Sequence, residues 1–287
     1  MLMLKAYRSL TAEQKKILSD KRLTMNRPVD EILAVLRPLA ECDTLADKAR
    51  TKLGCTFGLS IVAMIAVAII FANAGWSWVA TAVMVVVAVI LLGSGYLWSW
   101  TKRVDVSNNF RQFALPVLTV FREDFDSSHP VHLDLDLSSP TAASKKQSES
   151  APYKEGAYYK IIDTMYADPW MKAEAVLVDG SRLSWTVSDT IRERKKTKRN
   201  PRGKIKTKTK YSKKTDVDVE LGLRRKLYEV GAAPANAEMT SDAKRSTVRL
   251  SRKLKTDSLH PIDPTSLIDL IADVYRSASP VKKEAGA

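Results

Sequence analysis

Cysteine and histidine are scarce, with two of the first and three of the second in 287 residues. Cys42 precedes an apolar block and Cys55 opens it, and neither has the near partner that a disulfide framework or a CxxC redox motif needs. A structural zinc site is poorly supplied for the same reason, and a reducing compartment fits. No P-loop, GxGxxG, GxSxG or HExxH occurs, so nothing signals a nucleotide, a metal or another cofactor. The expectation is a non-enzymatic protein.

Charge is missing where it matters most. Between Lys52 and Lys102 lie 49 consecutive residues without Asp, Glu, Lys or Arg. A bilayer core about 30 Å thick takes roughly 20 apolar helical residues to cross. Cys55–Ala74 supplies one span and Trp78–Tyr96 a second, with Gly75-Trp76-Ser77 between them. Trp76, Trp78, Trp98 and Trp100 fall where membrane–water interfaces belong. A soluble core rarely runs so long without a charge. A signal peptide is excluded because the apolar stretch starts more than 50 residues into the chain and exceeds an h-region. The sequence therefore predicts an integral membrane protein, with residues 54–100 as a transmembrane helical hairpin.

Lysine and arginine set its orientation. Residues 1–53 hold 11 of them, the inter-span turn none and the tail from Thr101 the other 35. The positive-inside rule places both termini and the main domain in the cytoplasm. The spans carry no ionisable residue beyond the edge positions Cys55 and Tyr96, so no ion path is signalled. Gly54 and Gly58, with Gly93 and Gly95, suit close packing within the hairpin better than dimerisation between subunits.

The flanks read as an α+β protein. Residues 1–53 form a helical segment: Thr11-Ala12-Glu13-Gln14 is a capping box, and a helix starts near Pro28, with Pro38 expected to kink or interrupt it. Residues 101–287 form a basic domain. Phe110, Phe113, Val117, Phe121 and Phe125 keep helical spacing, with a kink expected at Pro116. Val131, Leu133, Leu135 and Leu137 alternate as a half-buried strand. Residues 138–153, rich in Ser, Ala, Pro and Lys, read as a flexible loop. Alternation returns at Met171–Leu177 and Leu183–Val187. A three-residue loop at 179–181 would set Leu177 opposite Leu183 and Ala175 opposite Trp185. The second strand runs on to Asn200-Pro201-Arg202-Gly203, where Pro second and Gly fourth suit a type I turn closed by a left-handed residue. That turn pairs Leu183 with Leu221, Trp185 with Val219 and Val187 with Val217. A strand at Thr247–Leu254 and a helix opened by Asp263-Pro264 complete an antiparallel sheet with packed helices.

The hairpin arm at 191–214 concentrates the net charge. It holds 13 basic residues and one acid, Glu193. The candidates for binding an anionic partner are Arg192, Arg194, Lys195, Lys196, Lys198, Arg199, Arg202, Lys204, Lys206, Lys208, Lys210, Lys213 and Lys214. The same register sets Arg194 against Lys210, Lys196 against Lys208 and Lys198 against Lys206, and like charges across a ladder repel. A counter-charge is implied: an anionic lipid surface, nucleic acid, an acidic protein, or a second copy of the chain. Tyr211 is the arm's single aromatic, too few for a base-stacking platform.

Other readings rest on weaker signals. Glu123, Asp124, Asp126, Asp134 and Asp136 lack calcium-loop spacing. His129 and His132 near Asp134 and Asp136 are the alternative, enzymatic centre, while His260 joins them only through tertiary structure. A further alternative makes the hairpin a subunit of a larger membrane complex.

Overall fold

The capping box is formed: in a computed structural model, which describes residues 2–74, 78–231 and 237–281, Gln14 Oε1 accepts from the Thr11 amide at 2.9 Å and Thr11 Oγ1 accepts from the Gln14 amide at 3.2 Å. It opens α2 (Ala12–Asp20), which follows α1 (Leu2–Ser9). Then come strand β1 (Arg22–Arg27) and the helices α3 (Val29–Ala74) and α4 (Trp78–Val104). The chain divides into two compact units, one of Met1–Asp20 with Arg37–Val106 and one of Lys21–Leu36 with Ser107–Ala287.

α3, which belongs to the first unit from Arg37 on, and α4 are each long and apolar enough to cross a membrane. Leu59, Ile65, Ile70, Val85 and Leu92 are exposed on them, an arrangement that water penalises and hydrocarbon does not. Of the kink or interruption expected at Pro38, the interruption does not occur, since α3 runs through it. Proline forfeits one backbone hydrogen bond, and the full burial of Leu36, Leu39 and Cys42 around it outweighs that loss. The expected turn at Gly75–Ser77 lies outside the described residues. Two of the small residues serve helix packing within the chain. A Cβ on Gly95 would stand 3.0 Å from the Phe57 ring, and one on Gly54 would stand 3.6 Å from Trp98 Nε1.

The second unit is α+β, built on a large antiparallel sheet. After α5 (Leu115–Val120) come β2 (Val131–Asp136), β3 (Lys146–Glu149), β4 (Tyr153–Glu155), β5 (Tyr158–Val176), β6 (Arg182–Arg199) and β7 (Ile205–Arg224). The chain ends with β8 (Tyr228–Val230), β9 (Glu238–Ser241), β10 (Arg245–Thr256), α6 (Thr265–Arg276) and β11 (Ala278–Pro280). The main sheet has the order β1-β2-β5-β6-β7-β10-β9, with β3 and β4 also paired to β5. One face is apolar. Phe113 meets Trp170 edge-on at 5.4 Å, Phe125 stacks on Trp185 at 6.3 Å, and α6 buries Leu267, Leu270, Ile271 and Val274. A π-helical turn at Phe110–Ala114 precedes Pro116, where a regular helix would lose the bond that proline cannot donate.

Three features differ from expectation. β5 starts at Tyr158 rather than Met171, passing Pro169 by a register shift, the kind of position a sheet leaves to proline. Within 138–153, expected to be a flexible loop, a 3-10 turn at Ala143–Lys145 leads into β3, because the long β5 offers an edge to pair with. Residues 22–27, read as part of a helical segment, form β1, whose Leu23 and Met25 are buried.

The β5–β6 register is shifted from the expected one. Ala175, not Leu177, lies opposite Leu183, and Ala173 lies opposite Trp185. Gly180 takes the left-handed position, with φ of +74°, and its amide donates to Leu177 O at 2.7 Å. The three-residue loop is therefore 178–180. The β6–β7 register is the expected one along its whole length, with Leu183 opposite Leu221 and Trp185 opposite Val219. There Gly203, with φ of +78°, donates to Asn200 O at 2.8 Å.

Candidate functional site

Side chains alternate across a strand, so the period of two decides where each arm cation points. Arg192, Arg194, Lys196 and Lys198 on β6 share a face with Lys206, Lys208, Lys210 and Lys214 on β7. Lys214 lies opposite Lys255 of β10, which extends the same face. Lys195, Arg199 and Lys213 belong to the other face, and Arg202 and Lys204 to the turn.

Toward the base of the sheet acids appear among the bases of this outward face, although Arg224 lies opposite Arg245 with Arg182 beside them. Arg22 pairs with Asp134 at 3.2 Å, Lys172 with Glu174 at 2.9 Å and Arg249 with Glu220 at 2.6 Å. Lys253 lies opposite Asp216, and Ser251 donates to Asp218. Beyond Asp216 the acids stop on β7. Lys196 lies opposite Lys208 and Lys198 opposite Lys206. Asp163 of β5 is the exception. It accepts from Arg194 Nε at 2.8 Å and approaches Arg192 at 3.9 Å, and the Arg194 hydrogen bond holds its carboxyl below the usual range.

At its base the opposite face of the arm turns inward, while Lys195, Arg199, Ile205, Thr207 and Thr209 farther out are exposed. Lys213 is 2% exposed, donates from Nζ to His260 O at 2.7 Å and faces Asp189 at 3.5 Å. It belongs to the interior rather than to the exposed candidate set. Glu193 accepts from Tyr166 Oη at 3.1 Å and from Tyr211 Oη at 3.2 Å. Thr215 donates to Asp189 Oδ1 at 2.5 Å.

Beside these residues Asp168, directly opposite Asp189, lies 2.7 Å from Lys145 Nζ, which also pairs with Asp136 at 3.0 Å. Burial pushes the Asp168 carboxyl up from 3.8 to about 6, against the pull of Lys145. Between those values the folded protein holds a proton that the unfolded chain has released. This contribution to stability is full below the unfolded value and is lost as pH rises through about 6. Relative to Asp168→Asn, the wild-type protein should lose roughly 2 kcal/mol of stability between pH 4 and pH 7. Denaturant melts of both proteins across that range check it, and parallel profiles would contradict it.

The residues of the alternative, enzymatic centre are not gathered around one point. His129 Nδ1 sits 2.9 Å from Asp126 Oδ2, outside the strand. His132, Asp134 and Asp136 share the outward side of β2, where Asp134 is taken by Arg22 and Thr24 and Asp136 by Lys145. His260 contributes its carbonyl to Lys213. An acid cluster that sequence reading missed joins Asp43, Asp47 and Asp105, whose carboxylate oxygens lie within 4.8 Å of one another. Arg50 bonds to Asp105 and the Val106 amide donates to Asp43, so charge and donors are supplied locally.

No protein family, no curated protein and no solved structure matches this chain. The arm's face is thus the functional candidate on its own chemistry.

Proposed function

We propose that the chain is a non-enzymatic, membrane-anchored binding protein whose basic arm engages an anionic partner. In this reading α3 and α4 form a transmembrane hairpin, and both termini and the sheet domain are cytoplasmic. The observation that carries it is the change along one sheet face. From Glu220 to Asp216 each acid of β7 on that face meets a base or a hydroxyl of β10, and beyond Asp216 lysines stand against lysines; at the far end of the sheet Arg224 also lies opposite Arg245. Each such pair costs some tenths of a kcal/mol, a cost that an external anion removes. A sheet evolving only for its own stability has no use for that pattern.

The detergent-solubilised full chain should bind polyanions with an affinity that falls steeply as salt rises. Binding that ignores salt, or no binding to any polyanion, would end the reading.

The orientation has its own test. With Cys42 and Cys55 replaced by Ser, a membrane-impermeant maleimide applied to intact cells should label Gly75→Cys and spare Ser9→Cys and Ser277→Cys. The reverse pattern would invert the topology.

A further inference from the structure

We propose that the arm's ligand is the anionic headgroup layer of a lipid bilayer, taken flat against the face that carries Lys196, Lys198, Lys206, Lys208, Lys210 and Lys214. The proposal rests on the anion-binding reading and narrows it to one partner and one face.

The alternation of Lys204-Ile205-Lys206-Thr207-Lys208-Thr209-Lys210 sorts the arm into two sides. Lysines take one. Ile205, Thr207 and Thr209 take the other, where the Thr197 and Thr207 hydroxyls meet at 3.2 Å. On the lysine side, neighbours along a strand stand about 6.6 Å apart and neighbours across strands about 5 Å. The result is a two-dimensional grid of cations rather than a single row.

Width argues against a nucleic-acid groove. β5 pairs with β6 as far out as Lys160 opposite Thr197, so most of the arm is at least three strands wide. Three strands at about 4.8 Å span roughly 14 Å with side chains added, whereas the major groove of about 12 Å admits a two-stranded ribbon. Single-stranded nucleic acid would need aromatic platforms. Tyr211 is turned to Glu193 on the other face, Tyr158 already holds Lys196 and Lys198 at 5.2 and 5.9 Å, and the exposed Tyr159 on the edge strand is a single ring, too few for a platform.

The kind of cation points the same way. The two arginines of the face, Arg192 and Arg194, are engaged by Asp163. Among the described residues no ion pair holds Lys206, Lys208, Lys210 or Lys214. An arginine fork suits an anion fixed in place, while a lysine ammonium is a swivelling point charge that accepts phosphates and carboxylates wherever they drift. Headgroups of a fluid leaflet are that kind of target. The same chain carries two helices apolar enough to cross a bilayer, so a leaflet is at hand.

Two variants that each remove three positive charges separate face from net charge. One is Lys198→Gln with Lys206→Gln and Lys208→Gln, on the lysine face. The other is Lys160→Gln with Arg199→Gln and Arg202→Gln, on the opposite face and the turn. The full chain, held in phosphatidylcholine nanodiscs, is titrated with vesicles of phosphatidylcholine alone, with vesicles also containing phosphatidylserine, and with RNA.

The first variant should lose roughly a hundredfold in affinity for phosphatidylserine vesicles, about fivefold per lysine, and the second no more than about fivefold. Vesicles of phosphatidylcholine alone should bind neither. Equal losses in the two variants would overturn the face assignment while leaving anion binding intact. RNA stripping the protein from phosphatidylserine vesicles at matched charge would overturn the lipid assignment alone. Binding to neither would overturn both this proposal and the function it narrows.

Discussion

Replacing Lys204, Lys206, Lys208 and Lys210 together by Gln should lower the affinity of the full chain for polyanions by roughly a thousandfold at low salt. Each lysine near an anionic surface contributes about 1 kcal/mol, and four make about 4 kcal/mol. The salt dependence should flatten in parallel, because fewer counterions are released. Thermal stability should not fall. The substitutions remove like-charge pairs with Arg194, Lys196 and Lys198, so the melting temperature should stay level or rise slightly. Titration at several salt concentrations, beside a thermal melt, reads both quantities. A variant that binds as the wild type does, and still restores function in a deletion strain, would make the arm a solvated ribbon.

Trp185→Ala should destabilise the sheet domain by about 3–5 kcal/mol, the range for truncating a large buried aromatic. Trp185 is 1% exposed, lies between Ala173 and Val219 in the ladder, and stacks on Phe125 with ring planes 8° apart. Thr207→Ala, on the exposed outer part of β7, should change stability little. Denaturant unfolding of the two variants measures the contrast. Equal, small effects would mean that the β6–β7 register is not the one described.

What the sequence disclosed, and what it hid, follows from how local each signal is. The uncharged run from 53 to 101 needs no tertiary information, and it corresponds to two helices apolar enough to span a bilayer. The β6–β7 register was legible because Pro201 and Gly203 define the turn and the apolar base agrees with it. The β5–β6 register obeys the same rule. Placing Gly180 fourth in its turn, as Gly203 is in the other, gives the observed pairing of Ala175 with Leu183. The expected loop simply started one residue late.

Non-local structure was hidden. Residues 158–170 have no clean alternation and contain Pro169, so β5 becomes visible only when β6 is there to pair with it. β3 and β4 exist because β5 does. The basic arm was legible in its charge, and its division into faces follows from the strand period. That Lys213 is interior was not legible, because its acceptors, the His260 carbonyl and Asp189, come from elsewhere in the chain. Lys145 likewise reads as a loop lysine and proves to be the buried partner of Asp168.

Amide hydrogen exchange on the full chain in phosphatidylcholine nanodiscs, before and after phosphatidylserine vesicles or RNA are added, tests the central claim most directly. Without a polyanion, amides of residues 196–209 should exchange quickly, since repelling lysines weaken the outer ladder, while those of residues 183–187 stay protected. With the polyanion bound, protection should rise in 196–209 and remain unchanged at 183–187. Exchange in the arm that is the same with and without either polyanion would contradict the account.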